Sequence, residues 1–405
     1  MVASIVSVSM KGNLQTIWNT LGDHAKTDTV PYQRIYLRVP DNGTLVLDTY
    51  PPFESTSDDT PIVLILHGIT GSSQLRPSYC QPAHEVGDEG GPGFRAIVLN
   101  FRGCDGNPIT SPRLYHAGET DDTRSVLLYL TQKYPRAPIY AVGFSMGANT
   151  LAVYLGEEGS DTPIKAAVFV SNPWDWVSAA KYIETGHFLN RFVYGPVLAD
   201  ALRTIFAANL HAFPPHSNVT VPFDVNVPKV LAKRYFTIRW YDDHVTSKLF
   251  GFEDGEDYYV KTSSQPWLEK EAIRIPTLSL HALDDPILHP DNMPWDVVKR
   301  SKNGAVVFAA TPGGGHVGWF EDGHGGLLRR WYTKPIVEVI SRIQELSPEP
   351  KPAPPATYIA DPEGDGSQVQ MILQSDIPPG RHVGFVPDFT GEKFRDVKER
   401  KALGF

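Results

Sequence analysis

The segment PIYAVGFSMG, residues 138–147, decides the fold of this chain. A short apolar run leads into the pentapeptide around Ser145, flanked by Gly143 and Gly147, and a helix-like run follows. This order predicts a strand, a sharp turn at the serine and then a helix, the geometry of a nucleophile elbow. Glycines permit the close backbone approach, and a helix N-terminus favours negative charge beside the serine. Ser145 is therefore the predicted nucleophile of an acyl chemistry; a structural glycine turn is the alternative.

The chain around this segment predicts an α/β fold. Continuous apolar runs such as residues 62–66 and 166–170 alternate with helix-like segments such as residues 120–133. Buried strands separated by helices indicate a mostly parallel central sheet with helices on both faces. Before them, two strand-like runs joined by Asp41-Asn42-Gly43 predict an antiparallel hairpin.

Four regions are predicted from breaks in this alternation. An aromatic-rich and leucine-rich interval interrupts the strand pattern and predicts a helical cap over the carboxyl edge of the sheet, where ligands bind in such folds. A Pro-rich run at residues 347–355 predicts an extended linker. The predicted regions are a first core part with the elbow (1–173), an inserted cap (174–270), a second core part (271–345), and a linker with a C-terminal tail (346–405).

Composition excludes several classes of function. The 405 residues are 41% hydrophobic with a net charge of −9, so a large core is expected and nucleic acid is not an expected partner. Two cysteines, Cys80 and Cys104, form neither a disulfide framework nor a metal-binding spacing. No signal-peptide pattern and no apolar run of bilayer length is present, so a cytoplasmic, reducing location is expected.

A nucleophilic serine requires a base and an orienting carboxylate. The expected carboxylate follows a predicted strand, where Asp284 and Asp285 stand together; the Asp-Pro-apolar-apolar pattern favours Asp285 without excluding Asp284. The expected base is His316, which follows the last apolar strand in a loop with three glycines. His324 is the nearest competitor, and His382 repeats the local sequence within the tail.

The predicted site also needs donors for an oxyanion. One is expected to be the backbone N–H of Met146, directly after the nucleophile, and the other the N–H of Ile69, in the loop after an early strand. His67 is expected to anchor this loop rather than to move protons. Acyl transfer through a serine requires no metal and no organic cofactor, so none is predicted.

The motifs of the predicted triad belong to a wider set between residues 10 and 335, and several members of this set have no role in a generic triad. The set comprises GNLQTI (12–17), HGITGS (67–72), NFRGC (100–104), LYHAGETDD (114–122), GFSMGAN (143–149), YLGE (154–157), SNPWD (171–175), ALDDP (282–286) and GGHVG (314–318). With these motifs the chain resembles the YheT-like branch of the α/β-hydrolases, which includes plant embryogenesis-associated proteins and fungal medium-chain fatty acid ethyl ester synthase/esterases.

The resemblance implies a serine hydrolase of acyl esters, with Ser145, an aspartate of the pair and His316 as its triad, that transfers the acyl group to water or to an alcohol. Two alternatives stay open: a thioesterase or tailoring hydrolase of secondary metabolism, and a non-catalytic binding module on a hydrolase scaffold. The expected ligand is a small acyl ester or thioester. The sequence makes no prediction of oligomeric state.

Overall fold

The computed structural model of the chain describes residues 12–21, 30–73, 93–214, 224–322, 328–360, 369–373 and 383–386. Its centre is an eight-stranded sheet in the order β1-β2-β4-β3-β5-β6-β7-β8. The strands are β1 (Gln33–Arg38), β2 (Thr44–Tyr50), β3 (Ile62–Leu66), β4 (Arg95–Asn100), β5 (Ile139–Phe144), β6 (Ile164–Val170), β7 (Thr277–Ala282) and β8 (Val306–Thr311).

The first two strands form the predicted antiparallel hairpin, and β2 pairs antiparallel with β4. All remaining pairs in this sheet are parallel. The parallel strands β3 and β5 to β8 therefore end at one common edge. The loops after β3, β5, β7 and β8 carry Ile69, Ser145, Asp285 and His316, so this edge gathers all of the predicted chemistry.

Alternation of side chains divides the core into two layers. In β3, Leu64 and Leu66 join one apolar cluster, while Val63 and Ile65 face the opposite cluster. Successive side chains of a strand point to opposite faces of the sheet. A strand of five apolar residues therefore requires packing against both faces. All five residues of β3 are buried, as expected for a central parallel strand.

The helices cover both faces and fill the interval between β6 and β7. They are α1 (Gly12–Leu21), α2 (Asp121–Lys133), α3 (Met146–Glu158), α4 (Trp176–Thr185), α5 (Gly195–Ala208), α6 (Val227–Ala232), α7 (Ile238–Tyr241), α8 (Ser247–Phe250), α9 (Gly255–Thr262), α10 (Gln265–Glu269), α11 (Trp295–Arg300) and α12 (Thr333–Leu346). The helices α4 to α10 lie within the predicted cap. None of the helices in the described ranges is long and apolar enough to cross a lipid bilayer.

Short strands complete the chain: β9 (Phe320–Asp322), β10 (Leu328–Arg330), β11 (Ala356–Ala360), β12 (Val369–Leu373) and β13 (Gly384–Phe385). Part of the predicted tail returns to the core, because Val383 and Phe385 are buried there. The Phe385 ring meets Tyr129 of α2 edge-on with centroids 5.4 Å apart, and the Val386 N–H donates to the Arg38 carbonyl at 2.9 Å. Val383 and Phe385, two apolar residues of this mostly polar segment, therefore pack against the core.

Candidate active site

The turn at Ser145 has the strained backbone that the elbow motif predicts. Ser145 has φ 51° and ψ −119°, directly after β5 and directly before α3. A non-glycine residue at positive φ is uncommon and persists where its surroundings hold it. Here the Ser145 N–H donates to the Val170 carbonyl at 2.8 Å, and its own carbonyl accepts from Ala148 at 2.9 Å. The side chain is left half-exposed at the sheet edge.

The elbow requires glycine at positions 143 and 147, because a side chain at either position would clash with neighbouring backbone. A β-carbon on Gly143 would lie 2.5 Å from the Ala148 Cα. A β-carbon on Gly147 would lie 2.4 Å from the carbonyl oxygens of Leu66 and His67. The first helical turn therefore packs directly on the end of β3, which brings the loop after β3 close to the turn at Ser145.

His316 lies between Ser145 and Asp285. Its Nε2 is 2.8 Å from the Ser145 Oγ, and its Nδ1 is 2.8 Å from the Asp285 Oδ2. Because a carboxylate only accepts, the proton between them belongs on Nδ1, which leaves Nε2 free to accept from the serine hydroxyl. The side chains of His316 and Asp285 are 13% and 3% exposed, so this pair is largely removed from water.

The two neighbouring aspartates have different partners. The Asp285 Oδ1 accepts from the backbone N–H groups of Ile287 and Leu288 at 2.7 and 2.9 Å, which orients its other oxygen towards His316. The Asp284 Oδ1 accepts instead from the Gly315 N–H at 2.9 Å. The structure thus brings Asp285 to the histidine ring, whereas Asp284 holds the glycine loop that precedes it.

Helix α1 holds the same loop from the other side. The Thr16 Oγ accepts from the His316 backbone N–H at 2.8 Å and donates to the Gly12 carbonyl at 2.8 Å. The Gln15 Oε1 accepts from the Phe320 N–H at 3.2 Å. The sequence interpretation gave these residues no role, although the motif GNLQTI that contains them is one of those with no place in a generic triad.

A second strained turn follows the histidine. Val317 has φ 56°, which is unusual for a β-branched residue, and Ser171 after β6 has φ 54°. The Val317 N–H donates to the Ser171 Oγ at 3.3 Å. This contact fixes the chain directly after His316, and Ser171 is a further residue whose position no sequence signal indicates beyond the motif SNPWD.

Ile69, which carries one predicted oxyanion donor, lines a cleft together with Ser145, and Met146, which carries the other, directly follows Ser145. Within the described ranges, neither the Met146 N–H nor the Ile69 N–H donates to another protein group. The Tyr115 hydroxyl donates to the Ile69 carbonyl, which fixes that peptide. His67 is fully buried; its Nε2 accepts from the Phe101 N–H at 3.0 Å, so its ring proton lies on Nδ1, 2.7 Å from the Gly68 carbonyl. His67 thereby ties the loop to the end of β4.

His281, in β7, contacts side chains other than that of Ser145. His281 is buried against the rings of Trp295 and Phe308, and its Nε2 lies 2.8 Å from the Ser279 Oγ. Burial lowers the pKa of His281 to about 4, so its ring stays neutral near neutral pH. His324 and His382 lie outside the described residues. Among the described residues, no group of three or more His, Cys, Asp or Glu side chains is arranged to hold a metal ion.

A mostly apolar cleft opens above the serine. Its volume is about 910 Å³, including the part open to solvent. Ser145 and His316 lie on its wall together with Gly68 and Ile69. Side chains of the helical interval complete the wall: Trp176, Ala179, Ile183, Tyr194, Val197, Leu198, Ala201 and Ile238. The residues predicted as a cap therefore form one side of the cleft that Ser145 lines.

A family model described as "alpha/beta hydrolase fold" matches residues 61–322, which is more than half of the chain. The chain belongs to the α/β-hydrolase family. Among curated α/β-hydrolases, it is 36% identical to the monoacylglycerol lipase of Saccharomyces cerevisiae over 70% of this chain and 60% of that protein. It is 34% identical to YheT of Escherichia coli over 76% of this chain and 84% of that protein.

A third relative is the medium-chain fatty acid ethyl ester synthase/esterase 2 of Saccharomyces cerevisiae, 33% identical over 71% of this chain and 63% of that protein. These matches place the α/β-hydrolase chain in the YheT-like branch, as the sequence motifs indicate. The match spans less than two thirds of the length of both yeast relatives.

Proposed function

We propose that this α/β-hydrolase is a serine esterase that cleaves carboxylic esters through an acyl-enzyme. The observation that carries the proposal is the 2.8 Å contact between the Ser145 Oγ and the His316 Nε2, at a serine with φ 51°. A nucleophile within hydrogen-bond reach of a base, itself oriented by a third group, is the arrangement that activates a weak hydroxyl. The names of the curated relatives, which include a lipase and an esterase, support the same class of reaction.

The first half of the reaction forms the acyl-enzyme. The Ser145 oxygen attacks the ester carbonyl carbon while its proton passes to the His316 Nε2. The negative oxygen of the tetrahedral intermediate accepts from the N–H groups of Met146 and Ile69, each worth about 3 kcal/mol where such donors have been removed in other enzymes. Protonated His316 then gives its proton to the alkoxide leaving group as the carbon–oxygen bond breaks. Asp285 keeps the imidazole in the required tautomer and stabilises the imidazolium.

The second half releases the acyl group. Water enters beside His316, loses a proton to the Nε2 and attacks the acyl carbon; the proton returns to the Ser145 oxygen as the acid leaves. An alcohol in the place of water gives a new ester. The apolar walls of the cleft favour an alcohol over water, and one curated relative is named as both a synthase and an esterase. Acyl transfer is therefore the second candidate activity.

Fluorophosphonate labelling followed by intact-mass measurement tests the nucleophile. We expect one adduct on the native protein and none on Ser145→Ala, with both proteins folded by circular dichroism. Absence of an adduct on the folded native protein would contradict the proposal and favour a non-catalytic binding module. An adduct that persists in Ser145→Ala would assign the reactivity to another residue.

Matched substrates separate the finer activities. Hydrolysis of an oxygen ester is compared with that of a coenzyme A or carrier-bound thioester of the same acyl group, and products are analysed with and without ethanol. A strong preference for the thioester would favour the thioesterase or tailoring hydrolase of secondary metabolism. The cytoplasm is the proposed location, and cell fractionation tests it.

A further inference from the structure

A second chamber shares wall residues with the cleft of Ser145, but Ser145, Asp285 and His316 do not line it. Its volume is about 450 Å³, including the part open to solvent, and Met146, one of the proposed oxyanion donors, lies on its wall. It shares Ile69, Trp176, Ile183 and Ile238 with the cleft that contains Ser145 and His316. The cleft and the chamber are therefore neighbours, separated by the side chains that line both. Ile69, which carries one proposed oxyanion donor, is one of these shared residues.

Geometry assigns this chamber to the acyl side of an ester. The leaving group must stand beside His316, because this residue protonates it. His316 lines the main cleft but not the second chamber, whereas Met146 lines the chamber. A substituent that extends past the oxyanion donors and away from the histidine is the acyl chain.

The chamber wall combines apolar side chains with polar ones, among them His116 and Asp242. Asp242 on its wall is 5% exposed, and its two carboxyl oxygens accept from the hydroxyls of Thr246 and Tyr259, each at 2.6 Å. Both of these residues also line the chamber. A carboxylate offers about four lone-pair positions, so acceptor capacity remains after the two hydroxyls are bound.

No described cation pairs with this carboxyl group. The nearby Arg239 forms ion pairs with Asp243 and Glu256 instead. Burial raises the pKa of Asp242 to about 7, against the hydrogen bonds from Thr246 and Tyr259, which lower it. A carboxyl group that is only partly ionised near neutral pH suits a neutral hydroxyl better than an ammonium ion.

We propose that the chamber binds an acyl chain bearing a hydroxyl group, and that Asp242 accepts a hydrogen bond from this hydroxyl. The proposal rests on the proposed esterase function. A plain alkyl chain would cover Asp242 with methylene groups and leave its remaining acceptor positions unfilled, which is unfavourable in a buried site. Sites built to bind a hydroxyl reject analogues that lack it far more strongly than apolar pockets distinguish single methylene groups.

The test uses straight-chain p-nitrophenyl esters of increasing length, each made with and without a terminal hydroxyl. We expect that at one chain length the hydroxylated ester has a kcat/KM about tenfold or more above its plain partner. Asp242→Leu should bring this ratio to about one or below, because it replaces the acceptor with an apolar side chain. If Asp242→Leu does not fold, Asp242→Asn serves: it keeps the shape but offers one acceptor oxygen, and should lower the ratio.

Asp243→Asn is the matched control. Asp243 is the adjacent acid, but its carboxylate binds Arg239 and the Gly255 N–H and does not line the chamber. It should leave the ratio of the two kcat/KM values unchanged. A ratio lowered equally by Asp243→Asn would overturn the assignment to Asp242.

The remaining outcomes separate this inference from the proposed function. If p-nitrophenyl acetate is cleaved and no chain length shows a preference for the hydroxyl, the inference is wrong and the esterase stands. A preference that survives in the folded Asp242 variants, or a greater preference for a terminal ammonium group, also overturns it. If the native protein cleaves no ester and takes up no fluorophosphonate, both proposals fall.

Discussion

Thr16 and His316 lie 300 positions apart in the sequence, yet the Thr16 Oγ accepts a hydrogen bond from the His316 backbone N–H at 2.8 Å. The same hydroxyl donates to the Gly12 carbonyl, so it joins the first turn of α1 to the loop of the proposed base. Helix α1 therefore belongs to the support of the site, although it precedes the first strand of the sheet.

The first prediction concerns this contact. Thr16→Val keeps the shape of the side chain but leaves the His316 N–H without its acceptor. We expect kcat for a short ester to fall by about tenfold with a KM within about threefold, because small displacements of a catalytic group reduce its rate strongly. Thr16→Ser keeps the hydroxyl and should restore kcat. If the serine variant is as slow as the valine variant, packing of the methyl group, and not the hydrogen bond, is responsible.

The second prediction separates the two aspartates. Asp285→Asn should lower kcat by roughly 10³- to 10⁴-fold, because the amide presents the wrong partner to the His316 Nδ1. Asp284→Asn retains an oxygen that can accept from the Gly315 N–H, and should lower kcat by no more than about tenfold. Rates are measured on one ester, with folding checked by thermal unfolding. The opposite ranking would assign the orienting carboxylate to Asp284.

The third prediction uses the spacing of the elbow. Gly147→Ala places a β-carbon 2.4 Å from two carbonyl oxygens of the β3 loop, so the loop and α3 must separate. We expect loss of fluorophosphonate labelling together with a lower melting temperature. Gly313→Ala is the control, because its β-carbon would meet only the Asp284 Oδ2 at 3.5 Å, an ordinary contact. Equal behaviour of the two variants would contradict the close-packing argument.

The fourth prediction concerns the pH dependence of stability. Burial lowers the pKa of His281 from 6.5 to about 4 in the folded protein. Between these values the unfolded chain binds a proton that the native protein does not, so the free energy of unfolding falls as the pH falls. The contribution of His281 amounts to about 3 kcal/mol over this range.

Denaturant unfolding of native protein and His281→Asn, from pH 7 to pH 4, measures this contribution. The variant should start from a lower stability, because it loses packing against two aromatic rings, but should lose less on acidification. Parallel curves for the two proteins would show that His281 does not carry the proton linkage.

Much of the fold is readable in the sequence because its causes are local. Five consecutive apolar residues require burial on two faces, and the hairpin turn is set by Asp41-Asn42-Gly43, with Asn42 at φ 59°. The sequence around Ser145 predicts its backbone conformation, since the glycines two positions before and after it are the residues that the tight turn admits. The expected positions of Asp285 and His316 follow from the common edge of parallel strands.

Other features depend on contacts between distant segments. From the sequence, either Asp284 or Asp285 could be the carboxylate that orients the histidine. Only the folded positions of the Gly315 N–H and of the His316 ring distinguish the two residues. The same holds for Thr16 and Ser171, which contact the backbone of the histidine loop from two segments far apart in the chain. A possible role for Asp242 emerges only because folding places it on the wall of a chamber that Met146 also lines. By itself the sequence determined the sheet, the elbow and the types of residue at its edge, because periodicity and turn chemistry act over a few residues. The tertiary structure decided which acid meets the histidine, what holds the histidine loop and what lines the second chamber, because those depend on packing between segments that no local pattern relates.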